Sequence, residues 1–153
     1  MKEYLVILER GATSWGAYSP DALGCVAVGK TREEAYRLYQ EALQSHLEWM
    51  REEGDTRPKR HSETAAVALA LGDAPPKTFL AILEPDDTIW SASAADVPDL
   101  VARGATREEA LRDLKTALTE HFLKLQNAGQ PIPEPASEAV TLVVREEELA
   151  VAV

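Results

Sequence analysis

The chain alternates between short apolar runs and longer stretches with helical spacing, and it does so twice. Tyr4–Glu9 and Phe79–Glu84 are compact apolar runs. Their length and continuity predict strands buried on both faces. Each is followed by a polar tip and two weaker strand-like runs, Trp15–Ser19 with Cys25–Val28, and Ile89–Ser93 with Leu100–Arg103. Gly24 and Gly29 bracket the third run of the first set and read as turn residues. The short connections favour antiparallel pairing of these three strands.

Helical spacing then takes over. Thr31 followed by Glu34, and Thr106 followed by Glu109, are capping boxes that predict helix starts. Ala35, Leu38, Tyr39, Ala42, Leu43 and Met50 form the apolar stripe of the first helix. Ala110, Leu111, Leu114, Ala117, Leu118, Phe122 and Leu125 form that of the second. Gly54 and Gly129 stand where a left-handed helix end is wanted, with Pro58 and Pro133 soon after. A fourth apolar run follows each helix, Thr64–Leu71 and Ala139–Val144. The simplest closure returns it across the helix, parallel to the first strand.

The two halves share one register. A shift of 75 residues superposes Leu5–Glu9 on Leu80–Glu84 and Thr31–Ala35 on Thr106–Ala110, and it aligns Trp15 with Trp90 and His46 with His121, without a gap. This predicts a tandem duplication with repeats over 2–73 and 77–147, joined by Ala74-Pro75-Pro76. The expected architecture is α+β, two β-β-β-α-β repeats. The small core of each unit favours a paired, pseudo-twofold arrangement. The helices differ in one respect. Leu38 and Trp49 widen the first stripe where the second carries Asp113 and Lys124. That apolar shoulder is the candidate surface for contact with the other repeat, self-association or a partner.

Composition narrows the function. The net charge of −10 disfavours non-specific nucleic-acid binding and suits a basic partner. No apolar run is long enough for a secretory or membrane segment, and the single Cys25 makes no internal disulfide, so a cytoplasmic protein is expected. His46 and His121 fall in the apolar stripes and read as packed histidines. Cys25 has Leu100 as its counterpart, so neither a thiol nucleophile nor a metal set is duplicated. Glu9 with Glu84 and Asp21 with Asp96 are the matched acids, but the core strands hold no mid-strand cluster for two-metal chemistry. Glu33, Glu34, Glu108 and Glu109 are explained by the helix starts. The one basic run, 57–61, reads as a solvated linker. No cofactor, metal or enzymatic activity is expected.

Tyr4–Glu9, Pro20-Asp21-Ala22-Leu23-Gly24-Cys25-Val26, Gly29-Lys30-Thr31-Arg32-Glu33-Glu34-Ala35 and Gly129-Gln130-Pro131-Ile132-Pro133-Glu134-Pro135 together resemble the HicB-like antitoxin family. Repeat 2 departs at the turn, keeping Asp96 and Pro98 but losing the Gly-Cys pair. The resemblance implies a degenerate ribonuclease H-like fold and a non-catalytic module that silences a small basic HicA-like, mRNA-cleaving toxin. Only Arg145–Val153 follows the last predicted strand, and its Glu146-Glu147-Glu148 opposes phosphate, so operator DNA binding is not expected. The alternatives are a residual metal-dependent nuclease on that fold and an orphan regulatory or ligand-binding scaffold.

Overall fold

The computed structural model describes residues 2–55, 58 and 61–144. Eight strands and two helices follow one another as β1 (Lys2–Arg10), β2 (Trp15–Tyr18), β3 (Val26–Gly29), α1 (Arg32–Glu52), β4 (Glu63–Leu69), β5 (Lys77–Asp86), β6 (Ile89–Ala94), β7 (Val97–Gly104), α2 (Arg107–Asn127) and β8 (Ser137–Val144). The fold is α+β, with two four-stranded sheets ordered β3-β2-β1-β8 and β4-β5-β6-β7.

The compact units do not coincide with the sequence repeats. Among the described residues, unit 1 takes those up to His61 together with 138–144, and unit 2 takes 62–137. Each therefore completes its sheet with the fourth strand of the other repeat. The expected parallel return of that strand to its own repeat does not occur. β4 instead pairs antiparallel with β5, from Glu63 opposite Leu83 to Leu69 opposite Lys77. The physical reason is local. The connection 70–76, turned at Gly72 with φ of +68°, lets β4 fold back on β5 as a hairpin. Closing so short a loop costs little entropy, whereas the return over α1 spans a long one.

A matched pair of ion pairs marks the exchange. Arg32, at the start of α1, binds Glu138 of β8. Arg107, at the start of α2, binds Glu63 of β4 at 2.8 Å. In each case the arginine belongs to one repeat and the glutamate to the other.

Inside each unit one helix covers one sheet. In unit 1 Tyr4, Val6 and Leu8 of β1 meet Ala35, Tyr39, Leu43 and Leu47 of α1, with Leu142 and Val144 from β8. In unit 2 Phe79, Ala81 and Leu83 meet Ala110, Leu114, Leu118 and Phe122, with Val67 and Leu69 from β4. These positions correspond one for one under the shift of 75. The fully buried row of α1 is narrower than the stripe read from the sequence. It includes Leu47, which that stripe lacked, while Leu38, Ala42 and Met50 are half-buried. β1 is buried on both faces, since Leu5 and Ile7 are also inaccessible.

The helix ends follow local chemistry. Thr31 Oγ1 accepts the N–H of Glu34 at 3.1 Å, and Glu34 accepts the N–H of Lys30 at 3.1 Å. Thr106 and Glu109 repeat this, with Glu109 accepting the N–H of Ala105 at 2.9 Å. Gly54 and Gly129, at φ of +77° and +70°, donate back to Arg51 and Gln126, while Asp55 and Gln130 donate to Met50 and Leu125. That is the two-bond helix end for which glycine is favoured. Gly29 and Gly104 are not turn residues but the last residues of β3 and β7. A Cβ there would lie 2.5 and 2.6 Å from the backbone nitrogens of Ala35 and Ala110, so each helix start packs against bare backbone. Among the described residues, no helix is long and apolar enough to cross a membrane.

Two stability measurements check this arrangement. Thr31→Ala lowers unfolding free energy by about 0.5–2 kcal/mol through loss of the cap. Arg32→Glu costs about 1 kcal/mol or less for a partly exposed pair. Chemical denaturation shows rescue by Glu138→Arg and none by Glu63→Arg. The opposite pattern would mean that each repeat keeps its own fourth strand.

Candidate functional site

The matched aspartates are the natural starting point, because buried carboxylates are costly unless bonded. Asp21 lies in the turn before β3 and is buried. Its Oδ2 accepts the N–H of Leu5 at 3.3 Å, and its Oδ1 accepts the N–H of His61 at 2.9 Å and lies 3.2 Å from His61 Nδ1. Asp96 performs the matching task in unit 2. It accepts the N–H of Ala136 at 3.3 Å and the hydroxyl of Ser137 at 2.8 Å. His61 and Ala136 correspond under the shift of 75, and each stands just before a strand that completes the other repeat's sheet. These carboxylates fix where the chain leaves a unit. Their lone pairs are spent on that task.

Around Asp21 the first unit holds a polar set that the second does not. Ser19, Cys25 and Tyr39 are buried with it, where unit 2 has Ala94, Leu100 and Leu114. Ser19 Oγ accepts the N–H of Asp21 at 3.1 Å and closes the turn. Burial pushes the Cys25 thiol up, partly offset by the Tyr39 hydroxyl beside it. Burial also pushes the Tyr39 phenol up, reinforced by Cys25. The Tyr39 hydroxyl is enclosed without a hydrogen bond of standard geometry. Both groups are held protonated, the reverse of what a nucleophile needs.

The other acids do not converge. Glu34 and Glu109 are occupied at the helix starts, and Glu9 and Glu84 are half-buried near the ends of β1 and β5. Among the described residues, no group of three or more His, Cys, Asp or Glu side chains could hold a metal ion. The histidines are not in the centre of the stripes but beside them, both half-buried. His46 stacks on Trp49 with ring centroids 6.1 Å apart, and His121 lies against Phe122 at 5.7 Å. Leu38 is half-buried and Trp49 is 54% exposed, so the shoulder of α1 reaches solvent at Trp49. In unit 2 the small side chains of Ala66 and Ala68 on β4 leave a groove of about 370 Å³ against Leu111, Arg112 and Lys115 of α2. Of the basic run 57–61, only Pro58 and His61 lie among the described residues, as does none of the tail 145–153.

Residues 4–70 match the family model of the HicB_like antitoxin of bacterial toxin-antitoxin systems. Over this segment the chain is similar to the HicB-like antitoxin family. No curated protein and no solved structure matches the chain. The HicB-like segment runs from β1 through β4, so it contains the Asp21 turn, the Thr31–Glu34 cap, Leu38 and Trp49. It also straddles both compact units, since its last strand completes the sheet of unit 2. In the sequence Asp21 stands out only as a candidate acid matched to Asp96. The signal for its structural task was the matched spacing from Asp21 to His61 and from Asp96 to Ala136.

Asp21→Ala is expected to cost about 1–3 kcal/mol, because it strands the buried N–H of Leu5 and the part-buried N–H of His61. Thiol reagents are expected to leave Cys25 unmodified until the chain unfolds, as mass spectrometry with and without denaturant would show. Because the Cys25 and Tyr39 pKa values are raised by folding, the unfolded chain releases these protons first as pH climbs. Stability therefore falls as pH rises through and above the ordinary thiol value of 9.0. A flat alkaline denaturation profile would contradict the buried placement of both groups.

Proposed function

We propose that the protein is a non-catalytic antitoxin-type module that neutralises a small basic, HicA-like, mRNA-cleaving toxin. The match of residues 4–70 to HicB-like antitoxins carries this reading. Two physical features support it. The net charge of −10 favours fast encounter with a cationic partner. Asp21, Asp96, Glu34 and Glu109 each accept backbone N–H groups, a structural use that accounts for these matched acids. Under this reading the two halves descend from one duplicated, degenerate ribonuclease H-like domain. The protein acts in the cytoplasm and makes no specific contact with operator DNA.

The toxin-binding surface in this reading includes the shoulder of α1. Trp49 presents a large rigid ring, and aromatic residues of this kind dominate binding energies at protein interfaces. Its exposed neighbours one turn on, Glu52 and Glu53, add negative charge beside the ring. An arginine or lysine of a basic partner would gain both ion pairing and contact with the ring face. Unit 2 has Lys124 at the matched position, which would repel the same partner.

Co-expression with a small basic ribonuclease encoded beside this chain tests the proposal. Growth is rescued, and the two proteins co-purify as a complex that suppresses RNA cleavage. Leu38→Asp combined with Trp49→Lys, which copies the residues of repeat 2, weakens the complex by at least about tenfold, or about 1.4 kcal/mol. The purified protein alone leaves RNA intact with Mg²⁺ or Mn²⁺. Metal-dependent cleavage abolished by Glu9→Gln would replace this reading with the nuclease one.

A further inference from the structure

The two sheets expose corresponding edges, and these edges differ in a way that the shared fold does not require. β3 is an edge strand of the first sheet and β7 the corresponding edge of the second. β2 and β3 align Gly16 with Val28 and Tyr18 with Val26, while Ala17 and Ala27 point toward α1. Val26 and Val28 therefore stand on the face away from the helix. They are 69% and 64% exposed, and Leu23 in the preceding turn is 82% exposed. Gly16 offers no side chain to cover Val28. Under the shift of 75, Leu23, Val26 and Val28 become Pro98, Val101 and Arg103, and the neighbours Gly16 and Tyr18 become Ser91 and Ser93.

Proline and charge on an edge strand are the usual protections against unwanted strand pairing. β7 carries both, and β3 carries neither. The open backbone edge and the apolar face occur together in unit 1 only. From this we infer that β3 is a self-docking edge, which pairs antiparallel with β3 of a second copy of this chain.

A second copy is the occupant that the local chemistry fits. Residues 22–29 hold no charged side chain in a protein of net charge −10. Two such acidic chains can approach along this segment without adding like charges at the contact. A basic toxin would find no carboxylate there to pair with. The segment is also self-complementary. Antiparallel pairing centred on Ala27 sets Val26 opposite Val28 of the second copy, so both apolar contacts form twice about one twofold axis. The inference is independent of the toxin reading, because it needs no other protein.

Light scattering on the purified full chain at micromolar concentration tests it. The wild-type chain has the mass of a dimer, and Val28→Arg, the residue of repeat 2, returns it to a monomer with an unchanged far-ultraviolet spectrum. Val26→Lys does the same and serves if Val28→Arg fails to fold. Hydrogen exchange gives a second readout, in which amides of β3 slow by at least about tenfold as concentration rises while those of β7 do not respond. A wild-type monomer, a dimer that survives both substitutions, or β3 exchange that ignores concentration would overturn the inference. A monomer that nonetheless protects β3 when mixed with the toxin would assign the edge to that partner instead.

Discussion

Everything else in this structure depends on how the inner strands β1 and β5 find a second neighbour. Each is paired on one side by its own hairpin. Its other row of backbone N–H and C=O groups requires a further strand. The chain supplies it reciprocally: β8 flanks β1, and β4 flanks β5. Neither repeat closes its own sheet, and the two cores are each completed by apolar residues from the other repeat, Leu142 with Val144 and Val67 with Leu69.

The exchange explains residues that otherwise look like chemistry. Asp21 and Asp96 are buried or half-buried carboxylates at matched positions, the kind of pair that invites a catalytic reading. Their partners are backbone and side-chain groups at the point where the chain departs for the other unit. Arg32 and Arg107 receive the incoming strands through Glu138 and Glu63. A carboxylate that holds the exit and an arginine that marks the entry form a matched set. The ion pairs add little net stability at their exposure, but they favour one strand register over its neighbours.

The two halves differ where the shared fold does not constrain them. The helix-facing core stays apolar in both units, and the caps and the close-packed glycines Gly29 and Gly104 are shared. The differences gather on one copy. Unit 1 alone has the buried Cys25–Tyr39 pair, the exposed Trp49 and the bare β3 edge, while unit 2 has Leu100, Leu114, Lys124 and an edge guarded by Pro98 and Arg103. The segment matched to the HicB-like family contains the exposed Leu23, Val26, Val28 and Trp49.

The sequence by itself determined the elements. Apolar periodicity located both helices and all eight strands, the Thr-x-x-Glu boxes set the helix starts, and the constant shift of 75 matched the core positions of the two halves. These are local or nearest-neighbour effects, written in side-chain spacing. The narrower buried row of α1, with Leu47 inside and Leu38 on its shoulder, was less legible, because a stripe does not state how closely the sheet approaches. Only the tertiary structure decided which strand completes which sheet. Thr64–Leu71 and Ala139–Val144 have the same apolar alternation, and Glu63 and Glu138 are equivalent partners for either arginine. The strand sequences therefore fit both assignments. The choice fell to loop closure, since the short connection 70–76 makes the β4–β5 hairpin entropically cheap, and to Asp21 and Asp96, which fix the departure of each strand through contacts across 40 residues of chain.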